Sequence, residues 1–438
     1  MADKRKRPLR WVRLDNAAKI YPAARRRNWS NVFRQSVTLT ETVDTQALRR
    51  ALDKTVKRFP SIAARLRKGV FWYYLQQVDK APAIQEEYSY PLTFMNSREM
   101  RRCAFRVIVY RERIAVEFFH SLTDGSGALV FLKTLTAVYL EEKYGVTVPA
   151  EHGVLDWRQE PQAEELEDSF PKYAGPVPAS RKDTNAWHMG GEPQLGGFLH
   201  LTCFTLPVRE TLDLAHRYGV TLTVFLSAVM MQALQQLQRE KTPSVRRQKR
   251  IKLLIPVNLR HLFDSRTLRN FAMYTIPELD PRLGEYTFEE ICKLIQHKMG
   301  LEITQKHMAS VIATNVNDEK SLFVRLIPLP IKNLVMKAIF DTVGERKSCL
   351  SFSNLGQVQL PEVMKPYVRR IDFVLGVQAA APYNCGMLSY GDTIYINFIR
   401  NIREPELERC FFAVLQQMGM DVTVESNRQS EEARHVLR

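Results

Sequence analysis

Along Ile114–Phe119 the apolar positions follow a strand period, and beyond Gly125 they follow a helical one. Ile114, Val116 and Phe118 share one parity with His120, so a strand that buries the first three carries His120 to the same side. After Thr123-Asp124-Gly125, the residues Ala128, Phe131, Leu132, Leu135, Val138 and Tyr139 recur at helical spacing. The stretch therefore predicts a strand that delivers a histidine, a tight loop, and an aspartate–glycine step that opens a helix ending near Tyr144-Gly145. A histidine held at the end of a buried strand suits a general base, and a core histidine that happens to end a strand is the plainer alternative.

The same two periods alternate through the rest of the chain. Residues 31–40 have strand composition, and Asp44-Thr45 opens a helix (Leu48, Ala51, Leu52, Val56, Phe59) that Pro60 stops. A strand is predicted at 70–75, and a hairpin at 107–110 and 114–119. From Pro149 to Gly197 the pattern dissolves into acidic residues, five further prolines and two Gly-Gly pairs, which marks a junction. The second half restarts with a strand at 201–206 and a helix at 208–217. A long uncharged run, Tyr218–Gln238, reads as a buried amphipathic helix and not as a membrane span. Strands follow at 251–255, 350–353, 385–390 and 393–398, the last two meeting at Gly391-Asp392. A final helix runs through Leu407, Phe411, Val414 and Leu415 to Gly419. The expected architecture is a two-layer α/β sandwich, repeated. Its bounds are a basic N-terminal arm at 1–28, a first lobe at 29–175, a connection at 176–197, a second lobe at 198–424 and a polar tail at 425–438.

With 438 residues, two domains are the prior, and 45% apolar residues allow sizeable cores. The formal charge of +16 suits anionic partners. Basic residues gather in the first 27 positions and in Arg246, Arg247, Lys249, Arg250 and Lys252, where a solvated face is as good a reading as a docking site. No recognition motif supports nucleic-acid binding. The six scattered cysteines lack Cys-x-x-Cys spacing, and no histidine stands at metal-ligand distance from them, which points to free thiols and to no metal site. Lacking an apolar leader pattern, the chain is expected to be cytoplasmic. Leu326–Phe340 is apolar and broken by Pro328 and Pro330. It could line an acceptor channel or make weak peripheral contact with a membrane, but core packing is its expected role.

His120-Ser-Leu-Thr-Asp124-Gly125 resembles the His-x-x-x-Asp-Gly motif of the thioester-dependent acyltransferase superfamily that includes chloramphenicol acetyltransferase and peptide-synthetase condensation domains. Phe59-Pro60-Ser-Ile-Ala-Ala-Arg-Leu66, Pro256-Val-Asn-Leu-Arg260 and Ser353-Asn354-Leu-Gly356 are similar to further family segments, in the family's order across roughly residues 30 to 400. Within the superfamily the chain most resembles alcohol acetyltransferases and mycobacterial polyketide-associated acyltransferases. The resemblance implies two chloramphenicol acetyltransferase-like lobes arranged as a pseudo-dimer in one chain. It also implies His120 as the base for both substrates and no covalent acyl-enzyme. Asp124 would pair with Arg260 to support the loop, and Gly125 would turn the backbone beside the substrate. A Ser353-Asn354 turn would face a tunnel as a candidate oxyanion site. No permanently bound cofactor is implied; acyl-CoA or a phosphopantetheine thioester on a carrier protein would be the co-substrate, with a hydrophobic alcohol or amine as acceptor. Phe119 stands where condensation domains carry an additional histidine, and the plant enzymes' Asp-Phe-Gly-Trp-Gly motif is absent. The first departure makes peptide-bond synthesis less expected, and the second argues against the plant branch. An amide-forming enzyme and a non-catalytic acyl-binding protein of the same fold stay open as alternatives.

Overall fold

A computed structural model describes residues 11–25, 31–78, 80–179, 184–194, 197–320, 326–339, 347–377 and 381–427. Two sheets dominate. The first has five strands in the order Val368–Val374, Val32–Leu39, Arg113–Phe119, Phe105–Tyr110 and Ile84–Glu86. The second runs Ala272–Thr275, Ile251–Asn258, Leu350–Val358, Tyr383–Tyr390, Thr393–Arg400, His200–Pro207 and Thr423–Ser426, with Glu278–Leu279 pairing beside Ile251–Asn258. The hairpin expected at Gly391-Asp392 forms, with Tyr390 paired to Thr393.

Each sheet is layered with helices as the periodicity predicts. Asp44 caps Thr45–Arg58 by accepting from the Gln46 and Ala47 amides. The helix buries Leu48, Ala51, Leu52 and Val56 and packs against Gly125–Tyr144. In the second half, Leu222–Lys241 packs against Glu406–Gln417 and Phe288–Glu302. It is buried on nearly every side and not on one stripe, so the amphipathic reading of Tyr218–Gln238 gives way to a central core helix. Among the described residues no single helix is long and apolar enough to cross a membrane.

Four expectations are corrected. First, residues 11–25 of the supposed arm are folded. Trp11–Arg13 pairs with Tyr73–Gln77 in a small third sheet, and Ala17–Lys19 and Ile20–Ala24 form two helical turns; residues 1–10 and 26–28 lie outside the described residues. Second, the lobes are not contiguous in sequence. Val368–Val374 lies within the span assigned to the second lobe, yet it pairs antiparallel with Val32–Leu39 as the edge strand of the first sheet. Third, Thr423–Ser426 is a strand, so the second lobe's sheet extends into the expected tail, while 428–438 lie outside the described residues. Fourth, the strand predicted at 70–75 begins only at Tyr73, and Val70 and Phe71 sit in the bend before it.

The strand ending at Phe119 is buried on both faces, Ile114 to Phe119 inclusive. Its odd-numbered side carries Glu117, fully enclosed, which accepts from Arg34 Nε at 2.8 Å, Arg106 Nε at 2.7 Å and the Leu92 amide at 2.7 Å. Burial pushes the Glu117 carboxyl up, but the two guanidiniums and these hydrogen bonds outweigh it and hold the group ionised.

Candidate active site

His120 stands one residue beyond that strand, and its amide donates to the Asn31 carbonyl at 2.9 Å. Tyr21 stacks on one face of the imidazole with centroids 4.5 Å apart, and Phe33 meets it edge-on at 5.0 Å. Ser121 Oγ donates to the Ala18 carbonyl at 3.0 Å, tying the loop to the same N-terminal turns. Nδ1 lies 3.1 Å from Asn270 Oδ1.

The orientation of the Asn270 amide is fixed from its other side. Its Nδ2 donates to Asp15 Oδ2 at 3.2 Å and its backbone amide to the same oxygen at 3.3 Å. Asp15 is fully enclosed, and its Oδ1 accepts from the Ala18 amide at 2.8 Å. Burial pushes the Asp15 carboxyl up, against Arg269 and its hydrogen bonds; its Oδ2, already accepting the Asn270 backbone N–H, takes the side-chain N–H as well, so Asn270 presents its carbonyl oxygen to the imidazole and the proton sits on Nδ1. Nε2 is left with its lone pair and makes no hydrogen bond among the described residues. Burial pushes the His120 pKa below the ordinary 6.5, against smaller opposing effects of its backbone hydrogen bond, Asp124 and Asn270, so the ring is neutral near pH 7.

Asp124 does not complete a dyad with His120. Its Oδ1 caps the helix Gly125–Tyr144 by accepting from the Gly127 amide at 3.0 Å. Its Oδ2 accepts from Arg260 Nη1 at 2.9 Å and from the Phe271 amide at 2.8 Å. Burial raises the carboxyl, yet Arg260 and these hydrogen bonds together hold it below 3.8. Arg260 also donates from Nε to the Thr267 carbonyl at 2.8 Å and from Nη2 to the Arg269 carbonyl at 2.6 Å. One guanidinium thus shapes the loop that carries Asn270. The motif aspartate acts on the imidazole through this loop.

Gly125 does not take a left-handed φ, so the expected sharp turn is corrected. It is small because a Cβ would lie 2.8 Å from Leu355 Cδ2. Gly127, which sequence reasoning passed over, is the tighter position: a Cβ there would fall on the Thr123 hydroxyl and the Leu268 carbonyl. Gln35 Nε2 donates to the Gly125 carbonyl at 2.7 Å, fastening the helix start to the neighbouring strand.

Ser353 and Asn354 do not form a turn. They lie inside the strand Leu350–Val358, whose register against Tyr383–Tyr390 shifts between Asn354 and Gln357. This is a bulge, with Gly356 left-handed at φ +78°. Asn354 holds it by accepting from the Gly356 amide at 2.7 Å and donating to Thr223 Oγ1 at 2.9 Å, which leaves it scaffold work. The Ser353 hydroxyl makes no hydrogen bond among the described residues. The bulge reaches the helix start through Leu355, whose Cδ2 lies beside Gly125, so the structure brings Gly125 and the Ser353 strand together.

Two of the five residues of the second basic cluster are engaged elsewhere. Arg250 pairs with Glu278, and buried Lys252 pairs with Glu278 and donates to the Thr184 carbonyl. Arg246, Arg247 and Lys249 stay exposed, at the opposite end of Ile251–Asn258 from Arg260, a strand length of roughly 25 Å away. A cavity of about 400 Å³ lined by Trp187, Met189, Tyr383 and Ile402 lies in the second lobe and includes none of the candidate residues.

Polyketide synthase associated protein 5 from Mycobacterium tuberculosis superposes with a TM-score of 0.60 at 15% identity, over 92% of this chain and 96% of that one. The chain has the chloramphenicol acetyltransferase-like two-lobed fold. The TRI101 protein of F. graminearum complexed with ethyl coenzyme A shares this fold at TM-score 0.62 and 10% identity, covering 94% and 99% of the two chains. So does the first condensation domain of the calcium-dependent antibiotic synthetase, at 0.57 and 13%, covering 92% and 95%. No family model and no curated protein matches the sequence itself.

Proposed function

We propose that the protein is an acyltransferase that moves an acyl group, acetyl in the first instance, from a coenzyme A or carrier-protein thioester to an alcohol. The observation that carries this reading is the neutral imidazole of His120, with Nδ1 committed to Asn270 and Nε2 open. Nε2 takes the hydroxyl proton as the acceptor oxygen attacks the thioester carbonyl. The tetrahedral intermediate collapses, the C–S bond breaks, and the imidazolium returns the proton to the departing thiolate. One group serves both transfers, so no acyl-enzyme forms. The Ser353 hydroxyl is the uncommitted donor suited to the oxyanion.

Support for the thioester comes from relatives of the fold that were crystallised with coenzyme A, the TRI101 proteins among them. Support for oxygen as the acceptor atom comes from TRI3, a trichothecene 15-O-acetyltransferase sharing the fold at TM-score 0.60 and 11% identity. Phe119 in place of an additional histidine agrees with it.

The test is release of free thiol from acetyl-CoA with a panel of hydrophobic alcohols and amines, in wild type and His120→Ala. Alcohol-dependent release abolished in the variant is expected. Turnover that survives His120→Ala would overturn the mechanism. Preference for amines would overturn the choice of oxygen.

A further inference from the structure

The apolar segment expected to pack in the core faces outward. Leu329–Ile339 turns Leu329 and Lys332 inward and leaves Ile331, Leu334 and Val335 on its outer side, at i, i+3 and i+4. An inward lysine and outward aliphatics invert the usual pattern of a surface helix. The inversion is fixed by specific contacts: Lys332 Nζ donates to the Phe71 carbonyl at 3.0 Å and lies 3.4 Å from the Trp72 ring centroid. The Leu329 amide donates to the Val70 carbonyl at 2.9 Å, and Asn333 to the Tyr73 hydroxyl at 3.1 Å. The helix is thereby clamped to the bend at Val70-Phe71. Val70, Phe71, Leu326, Ile331, Leu334 and Val335 are each between 41% and 73% exposed.

Charge tells what covers this face. Neither segment that builds it, Ala63–Val78 or Leu326–Ile339, contains an acidic residue, and exposed Lys68 and Lys337 flank the aliphatic centre. Aliphatic side chains flanked by two lysines, on segments without an acidic residue, match the boundary of an anionic bilayer, where tails receive the aliphatics and headgroup phosphates the lysines. We infer that this face docks on an anionic membrane surface. The helix also packs on Ile20–Ala24, whose Tyr21 stacks on His120, so the docked face lies one layer from the imidazole. An acceptor dissolved in the bilayer would reach the site from this side. The docking itself does not depend on the acyl-transfer reading.

Co-flotation tests it, using vesicles of phosphatidylcholine alone and vesicles mixed with phosphatidylglycerol, at low and high salt. The full chain should float with the mixed vesicles and release as salt rises. Lys337→Glu and Lys68→Glu should each weaken the partition about fivefold. Leu334→Glu with Val335→Glu should weaken it at least about tenfold while leaving the thermal midpoint unchanged, since both side chains are exposed. Three results would overturn the inference: no flotation with mixed vesicles, equal flotation with neutral ones, or flotation indifferent to the double substitution. A soluble dimer that the double substitution dissociates would assign the face to a second copy and overturn it as well.

Discussion

Asp15→Asn changes one atom, 255 residues away in sequence from the asparagine it orients, and should impair a site it never touches. In the wild type the Asp15 carboxylate takes both N–H groups that Asn270 offers it, and only then does Asn270 turn its carbonyl to the imidazole. An amide at position 15 can accept or donate, so the two orientations of the Asn270 side chain lose their difference in energy. In the flipped orientation an N–H faces Nδ1, the ring proton moves to Nε2, and the base is gone. A hydrogen bond to a charged group contributes about 1.5–3 kcal/mol, enough to keep nearly every wild-type molecule in the working orientation; with the two orientations equal in energy roughly half the molecules lose the base, so kcat should fall about twofold. KM should barely move, because the relay sets a proton and contacts no substrate. Arg269 Nη2, 3.7 Å from Asp15, loses a countercharge in the same step, so some stability goes too. Thiol-release kinetics must therefore be paired with urea unfolding of the same variant. Wild-type kcat in Asp15→Asn would refute the relay, and so would a loss that merely tracks the unfolded fraction.

Asn270→Ala removes a contact that raises the His120 pKa, so the acid limb of kcat/KM, already below pH 6.5, should move further down as activity drops; an unmoved limb would count against the contact. Between the lowered folded value and 6.5 the unfolded chain binds the extra proton, so this histidine makes stability decline as pH falls through that window, and His120→Phe should flatten the slope in urea titrations. Asp124→Asn strands the largely buried Arg260 charge and should cost about 3–5 kcal/mol in urea unfolding. Wild-type stability with abolished turnover would instead make Asp124 a chemical participant. Gly127→Ala should destabilise by about 3 kcal/mol or more, because its Cβ meets a backbone carbonyl, whereas Gly125→Ala meets only the tip of Leu355 and should cost less; the reverse order of urea midpoints would contradict the geometry.

Local signals made much of the fold legible. The period change around His120, the cap at Asp44, the stop at Pro60 and the turn at Gly391-Asp392 each depend on residues close in sequence, and each forms. The Asp124–Arg260 pair came from resemblance and not from spacing, since no local rule joins positions 136 residues apart. Asp15, Tyr21 and Asn270 were missed for the same reason. The stretch that carries Asp15 and Tyr21 is dominated by basic residues, and its only local clue is an aspartate three residues before the Ala18 amide that it caps. Ser353-Asn-Leu-Gly356 carries turn residues, but its neighbours on both sides continue the sheet, so a bulge absorbs them. The outward face of Leu329–Ile339 misled because composition counts apolar residues without saying which side they occupy.

The edge strand Val368–Val374 sets a timetable for the nascent chain. Val32–Leu39 leaves the ribosome early, and its partner follows more than three hundred residues later. At typical elongation rates the first sheet waits on the order of twenty seconds or longer with that edge unpaired. An open strand edge is a template for pairing with other chains, so a polypeptide cut between the lobes would keep that hazard for good. Production of this protein should depend more on the full chain being present than on either half being well packed.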